Sequence, residues 1–240
     1  MPGRWLGTEA SMSEILTGIS SMATRQVLAA LCRDYQRAGG ASVRFESVGG
    51  VDAKQRVRIS EVFDLVVLAA DAIDELATTG HVIVDSRCAI VESTVAIAVR
   101  ADAVRPDVGS EAALRRAVLA AGRIGYSTGP SGAALLRLFE RWGLGETLRA
   151  RLIQAMPGVP VAALIASGEV DIGFQQFTEL KDQHGITLLG AMPPGLEIVT
   201  TFVGAVGAGS AQHAAARALL RFMSSPAADE AKRRHGMQPA

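Results

Sequence analysis

The sequence is poor in the residues that build disulfide frameworks, zinc sites and highly charged binding surfaces. Its 240 residues include two cysteines, Cys32 and Cys88, and neither belongs to a CxxC pair or has a histidine beside it. Both thiols are therefore predicted to be small buried side chains. Lys plus Arg and Asp plus Glu number 24 each, so the net charge is zero. Because general binders of nucleic acids and membrane surfaces depend on excess basic charge, neither is predicted as a partner.

Segments that direct a chain into or through a membrane are also missing. No apolar run approaches the roughly 18 residues that span a bilayer, so no membrane insertion is expected. Residues 1–11 have no apolar core of the kind found in export signals, and they are predicted to be an extension with little order. The protein is therefore expected to begin its fold near residue 12.

Motifs for cofactors and metals are missing too. Neither GxxxxGKS/T nor a GxGxxG run after the first strand occurs, so nucleotide binding is not predicted, and no other cofactor is predicted either. The histidines stand alone, with no second histidine or carboxylate at metal-ligand spacing, and no metal site is predicted. They are His81, His184, His213 and His235.

Strand and helix signals alternate along a chain that is 49% hydrophobic. The continuous apolar run after Asp64 is typical of a strand buried on both faces of a parallel sheet. In the first half we predict strands at 15–19, 42–46 and 64–69, and helices at 22–37, 51–60 and 71–78. In the second half we predict strands at 95–99, 123–126, 170–174 and 186–189, and helices at 110–121, 133–142, 161–167, 211–223 and 227–234. This alternation predicts an α/β fold with two doubly wound lobes.

Three predicted strand-to-helix loops are small, hydroxylated and rich in glycine. They lie at 20–21, 47–50 and 127–132. In an open α/β sheet such loops stand at the carboxyl ends of the strands, where ligands bind. The start of a helix carries roughly half a positive charge and can hold an anion, although serine and glycine also occur there as simple caps. If the loops converge on one cleft, they predict an anion site.

A fourth segment, 168–176, ends a predicted strand with two neighbouring amides, Gln175 and Gln176. A glutamine side chain both donates and accepts hydrogen bonds, so this pair suits a polar ligand. As a pattern taken alone it is weakly specific.

Taken in order, several segments resemble the type II periplasmic solute-binding proteins, in the branch of the molybdate-binding proteins of ABC importers. The similar pieces are 18–22, 63–68, 93–100, 126–132, 168–176 and 222–228, with Gly236 and Met237 near the end. The resemblance implies two lobes, 12–94 with 200–240 and 95–199, joined by hinge crossovers near 93–100 and 197–206. It also implies a small anionic ligand in the cleft, closure by hinge bending, an ABC transporter permease as partner, a monomer and a periplasmic location. Because 1–11 is no export signal, a cytoplasmic location stays the alternative.

The candidate ligand-binding residues come from these loops and from the glutamine segment. They are Ser20, Ser21, Met22, Ser47, Gly49, Gly50, Ser127, Thr128, Ser131, Gly132, Phe174, Gln175 and Gln176.

The sequence is compatible with three functions. The first is a binding protein for a molybdate-like oxyanion or a small di- or tricarboxylate. The second is an isomerase of an unsaturated carboxylic acid, because Phe174-Gln175-Gln176 stands where family molybdate binders have a tyrosine and resembles the subgroup that includes aconitate isomerase. No catalytic residue is identified, since Glu46, Tyr126 and Glu179 are acid-base groups without a distinctive pattern. The third, a ligand-sensing module, would need a separate DNA-binding partner.

Overall fold

The computed structural model of the chain describes residues 15–240, and the predicted extension at 1–11 lies outside this range. The strands are β1 Leu16–Ser21, β2 Val43–Val48, β3 Leu65–Ala69, β4 Cys88–Arg100, β5 Ile124–Tyr126, β6 Leu152–Gln154, β7 Ile172–Gln176, β8 Ile186–Ala191, β9 Val199–Val206 and β10 Gln238–Pro239. The helices are α1 Arg25–Arg37, α2 Gly50–Arg58, α3 Ala70–Thr78, α4 Glu111–Ala120, α5 Pro130–Arg141, α6 Gly145–Leu148, α7 Val161–Ala166, α8 Phe177–Leu180, α9 His213–Met223 and α10 Asp229–Arg234.

The strands join in the order β2-β1-β3-β9-β4-β7-β5-β6, with β8 and β10 both paired to β4. The pairs of β1 with β2 and β3 are parallel, and so are the pairs of β5 with β6 and β7. Strand β9 runs antiparallel to both β3 and β4. Two parallel groups are thus connected through the antiparallel strands in the middle.

Strand β4 carries the chain from one group to the other. Its residues 88–94 pair with β9, whereas its residues 95–100 pair with β7 and β8. The register with β9 shifts between Ala89 and Val91, and the register with β8 shifts between Ile97 and Ala98. One long strand with two irregularities therefore serves as the predicted crossover at 93–100.

Within residues 15–240, buried apolar side chains form four clusters, two for each group of strands. In the first group Leu28 and Leu220 pack on one face of the sheet, and Val57 and Leu76 pack on the other. In the second group β4 itself shows the alternation, because Val95 faces the cluster of α4 and α5 whereas Ala96 faces that of α7. Each group is covered by helices on both faces, which confirms the predicted doubly wound α/β fold. We refer to the two groups as the first and second lobes; the predicted boundaries at 94 and 199 stay a prediction.

Several elements differ from the sequence prediction. Helix α5 begins at Pro130, so that Ser131 and Gly132 lie in its first turn and not in a preceding loop. Strand β4 is longer than the predicted 95–99, because pairing with β9 extends it towards the first lobe. Cys32 is buried as predicted, whereas Cys88 is only half-buried. Among the described helices, none has the length and apolar character to cross a bilayer.

Candidate functional site

A cleft of about 390 Å³ lies where loops of the two lobes meet. Strands end on the cleft from both sides: β1 and β3 belong to the first lobe, and β5 and β7 to the second. Side chains of both lobes border it, together with Thr200 and Phe202 of the central strand β9. The lining includes nine of the predicted residues: Ser21, Met22, Gly49, Gly50, Ser127, Thr128, Ser131, Gln175 and Gln176.

Three helices of eight residues or more begin at this cleft. Helix α2 follows Gly49, α3 follows Ala69 and α5 follows Gly129, and all three preceding residues line the cleft. Unpaired backbone N–H groups at the start of a helix create a positive potential. Gly129 has a φ of 90°, a left-handed value that glycine adopts without strain, and this turns the chain into α5. The starts of these helices therefore contribute positive potential to the cleft from both lobes.

Two predicted serines border the cleft from opposite lobes. Ser21 is half-buried, and its hydroxyl makes no capping hydrogen bond to any residue within 15–240. Ser131 lies in the first turn of α5, where its Oγ is 3.0 Å from Oγ of Ser127. Ser21 therefore does not cap its helix, and its hydroxyl can serve a ligand.

Four predicted residues do not line the cleft. Ser20 is fully buried, and its Oγ is 2.8 Å from Oγ of Ser47, so the two hydroxyls bind each other inside the first lobe. Phe174 packs edge-on against Phe139 in the core of the second lobe, with 6.1 Å between ring centroids. At Gly132 an added Cβ would be 1.9 Å from the carbonyl oxygen of Ser127, so the glycine is needed for packing between loop and helix. These four residues therefore have structural roles in the packing of strands and loops, and the prediction that they contact a ligand in the cleft is not supported by their positions.

The second lobe contributes an amide pair and a carboxyl group. Nε2 of Gln176 donates to Oγ1 of Thr200 at 2.7 Å, while its Oε1 is buried without a hydrogen-bond partner in the described part of the chain. Gln175 accepts from the backbone N–H of Val161 at 2.8 Å and donates to Oε1 of Glu179 at 3.0 Å. The side chain of Glu179 also lines the cleft.

Glu179 is a half-buried acid whose carboxyl has a strongly shifted pKa. Burial raises the pKa of its carboxyl to about 7, and the hydrogen bond from Gln175 opposes this shift. Such a group exchanges a proton near neutral pH, which is the property required of an acid or base in catalysis. A cleft carboxyl that is half neutral at pH 7 also repels an anion less than an ordinary glutamate would.

Sequence reasoning missed several residues that line the cleft. Lys54 and Asp71 come from α2 and α3, and the 156–160 turn comes from the second lobe. The Lys54 ammonium is held by Glu75 at 2.7 Å. A signal for Lys54 existed, because it is one helical turn beyond the Gly49–Gly50 loop, but that position is equally typical of an exposed helix face. The 156–160 turn carries no polar side chain that would have marked it.

Two α/β lobes connected through a central crossover, with helix starts facing a shared cleft, define a solute-binding protein of the type II periplasmic class. The family model described as bacterial extracellular solute-binding protein matches residues 16–238. The chain belongs to this family.

Relatives and solved structures agree with this class. The chain is 33% identical over 230 residues to an aconitate isomerase from Pseudomonas sp, which covers 93% of this chain and 87% of that protein. The periplasmic molybdate-binding protein of Azotobacter vinelandii superposes with a TM-score of 0.76 at 17% identity, over 92% of this chain and 98% of that one. The sulfate-binding protein of Mycobacterium tuberculosis gives 0.75 at 17% identity, over 94% and 87%. At such identities the structural likeness concerns the fold.

Proposed function

We propose that this solute-binding protein holds a small organic acid with more than one carboxylate in the cleft between its lobes. The observation that carries the proposal is the convergence of three helix starts and Lys54 on a cleft whose remaining walls are largely apolar. The helix starts attract carboxylates, and the Lys54 ammonium, although paired with Glu75 at 2.7 Å, lines the cleft and can turn a donor towards the ligand. The side chains of Leu68 and Val159 would contact a carbon skeleton.

The size of the cleft favours such an acid over a tetrahedral oxyanion. Its volume of about 390 Å³ lies in the lower part of the range for small-molecule sites, roughly 300–1,000 Å³. One central atom with four oxygens would fill only part of that space and would leave the apolar walls without contact.

A calorimetric and thermal-shift comparison tests the proposal. Citrate and trans-aconitate are expected to raise Tm in a concentration-dependent way, whereas molybdate and sulfate are not. At a ligand concentration of 100 times Kd, the free energy of unfolding should increase by about 3 kcal/mol. Lys54→Met should weaken binding of the organic acids, because it removes a cation from the cleft lining. Lys181→Met changes a lysine outside the cleft lining and should leave their binding unchanged. A shift with molybdate alone would support the oxyanion alternative, and no shift with any of these anions would contradict the proposal.

An isomerase of a small unsaturated acid is the second candidate. The observation that favours it is Glu179, a cleft carboxyl with a pKa of about 7, together with the likeness to the Pseudomonas aconitate isomerase. A double bond migrates when a base removes a proton from one carbon and a proton is returned to another, with no change of oxidation state. Glu179 is the group that can do both.

Proton NMR of cis-aconitate incubated with the protein tests the second candidate. Formation of the trans isomer, lost in Glu179→Gln while binding is retained, would support an isomerase. Binding of the acid with no new isomer after prolonged incubation would leave the protein as a binder.

We further propose that the protein works in the periplasm as a monomer that delivers its ligand to an ABC transporter permease. The family to which it belongs supports this role. Fractionation of cells that express the gene from its own start would test the location, and a purely cytoplasmic pool would contradict it.

A further inference from the structure

The cleft has donors on its walls and acceptors on its floor. The walls present the starts of α2, α3 and α5 and the hydroxyl of Ser21. The floor presents the carboxyl of Glu179. A carboxyl that lines an anion cleft can hold a proton and share it with a ligand carboxylate.

The hydrogen bonds of Gln175 determine that its NH₂ group, and not its oxygen, faces the carboxyl of Glu179. Its Oε1 is already used by the backbone N–H of Val161 at 2.8 Å, so its NH₂ group must point to Glu179. The carboxyl accepts this bond through Oε1, and within residues 15–240 it makes no other. Its second oxygen therefore remains available to a ligand.

Charged groups around α8 do not neutralise Glu179. The helix packs on β4, β7, α7 and the turn Met22–Thr24, and of these elements only β4 contains titratable side chains. On β4, Arg100 binds Asp102 at 2.5 Å, Glu92 accepts from Thr201 at 3.4 Å, and Cys88 contacts the carbonyl of Leu220 at 3.8 Å.

Other charged groups flank α8 or line the opposite side of the cleft. Lys181, which follows α8, donates to the carbonyl of Arg234 at 3.4 Å, and His235 lies beyond that residue in sequence. Across the cleft, Lys54 is paired with Glu75 at 2.7 Å, and Asp71 is an exposed acid at the start of α3. Burial without a cationic partner keeps a proton on Glu179 to unusually high pH.

We propose that Glu179 makes ligand binding proton-linked: the complex holds one proton shared between the Glu179 carboxyl and a carboxylate of the bound acid. The inference rests on the proposed function only in that a carboxylate occupies the cleft. In the free protein burial places the pKa of Glu179 at about 7, and a second carboxylate beside it raises this value further, because two like charges cannot both ionise at short distance. Binding therefore takes up a proton, and affinity falls as the pH rises above about 7.

Titration of trans-aconitate by calorimetry tests the inference in the wild type, Glu179→Gln and Asp71→Asn. The amide of the first variant resembles the protonated acid and cannot titrate, so the ratio of wild-type Kd to variant Kd should rise up to tenfold per pH unit between about pH 7.5 and 8.5. Titration of the probe itself is common to all three proteins and cancels in this ratio. Asp71→Asn, which changes another acid of the same cleft, should alter Kd by a factor that does not depend on pH.

Proton uptake by the wild type alone gives a second measurement, should the variant fold poorly. Titrations at about pH 8 in buffers of different ionisation enthalpy should report close to one proton taken up per trans-aconitate bound. Binding with a constant Kd ratio and no proton uptake would overturn this inference and leave the proposed function intact. Absence of trans-aconitate binding in all three proteins at about pH 6, where the carboxyl is protonated, would overturn both.

Discussion

The side chain of Gln175 joins the start of α7 to the carboxyl of Glu179. Its oxygen accepts from the backbone N–H of Val161 at 2.8 Å, and its nitrogen donates to Oε1 of Glu179 at 3.0 Å. Gln175 is buried near the end of β7, whereas its acidic partner lies one turn later in α8. One amide thus satisfies a helix start and orients the acid that faces the cleft.

Replacement of Gln175 by leucine should cost about 1–3 kcal/mol of unfolding free energy, because the N–H of Val161 would be buried without a partner. It should also raise the pKa of Glu179 further, since the hydrogen bond that opposes the effect of burial is lost. Urea unfolding and carbon NMR of labelled glutamate would measure the two effects. Gln183→Leu, at an exposed position, should change stability by less than about 0.5 kcal/mol. Equal stability of both variants would contradict this role.

Stability should depend on pH through Glu179. Its pKa in the folded protein, about 7, lies above the ordinary value of 4.5, so the folded state binds the proton more tightly than the unfolded state does. This contribution is fully present below about pH 4.5 and is lost as the pH rises through about 7, at a cost of about 3 kcal/mol. Glu179→Gln should remove the loss and be the more stable protein near pH 8.

Denaturant unfolding of the two proteins from about pH 4.5 to 8 measures this difference directly. Glu146→Gln changes an exposed glutamate paired with Arg149 and provides the control. If the wild type and Glu179→Gln kept the same difference in stability across the whole range, the Glu179 carboxyl would not be titrating as described.

Loss of the hydroxyl at Ser21 or Ser131 should weaken anion binding from either lobe. A hydrogen bond to a charged group contributes about 1.5–3 kcal/mol, so each alanine variant should bind trans-aconitate roughly tenfold to hundredfold more weakly. Ser21→Ala should leave Tm almost unchanged, because the hydroxyl makes no cap within residues 15–240. Ser20→Ala is the matched control: it strands Oγ of Ser47 and should lower stability, with affinity retained. The opposite pattern for the neighbouring serines would refute the site.

Alanine substitutions should distinguish a glycine that borders the cleft from a glycine that is needed for packing. A Cβ at Gly50 would be 3.7 Å from Oγ of Ser21, an ordinary contact, so Gly50→Ala should fold and narrow the cleft. A Cβ at Gly132 would be 1.9 Å from a carbonyl oxygen, so Gly132→Ala should destabilise the second lobe. Calorimetry should show weaker binding in the first variant, and thermal unfolding a lower Tm in the second. A stable Gly132→Ala protein with full affinity would contradict the packing role.

Sequence patterns predicted the lobes well because those patterns are local. The apolar run Leu65–Ala69 is fully covered on both faces, as the continuous hydrophobic signal requires. Helix α4 begins after Ser110, whose side chain accepts from the N–H of Ala113 at 3.2 Å, as expected of a serine cap. Strand β4 was only partly predicted, because half of it is stabilised by pairing with β9, more than a hundred residues later in the chain.

Periodicity and loop chemistry by themselves determined the α/β alternation, the small hydroxylated loops and the presence of polar groups at strand ends, because each depends on residues a few positions apart. Tertiary structure alone decided which of two adjacent serines faces the cleft. In β1 successive side chains point to opposite sides, and Ser20 meets Ser47 across a strand pair while Ser21 borders the cleft. Tertiary structure also decided the pKa of Glu179, which burial raises and the hydrogen bond from Gln175 lowers. Burial depends on which distant segments of the chain pack over a residue, so local sequence patterns do not predict it.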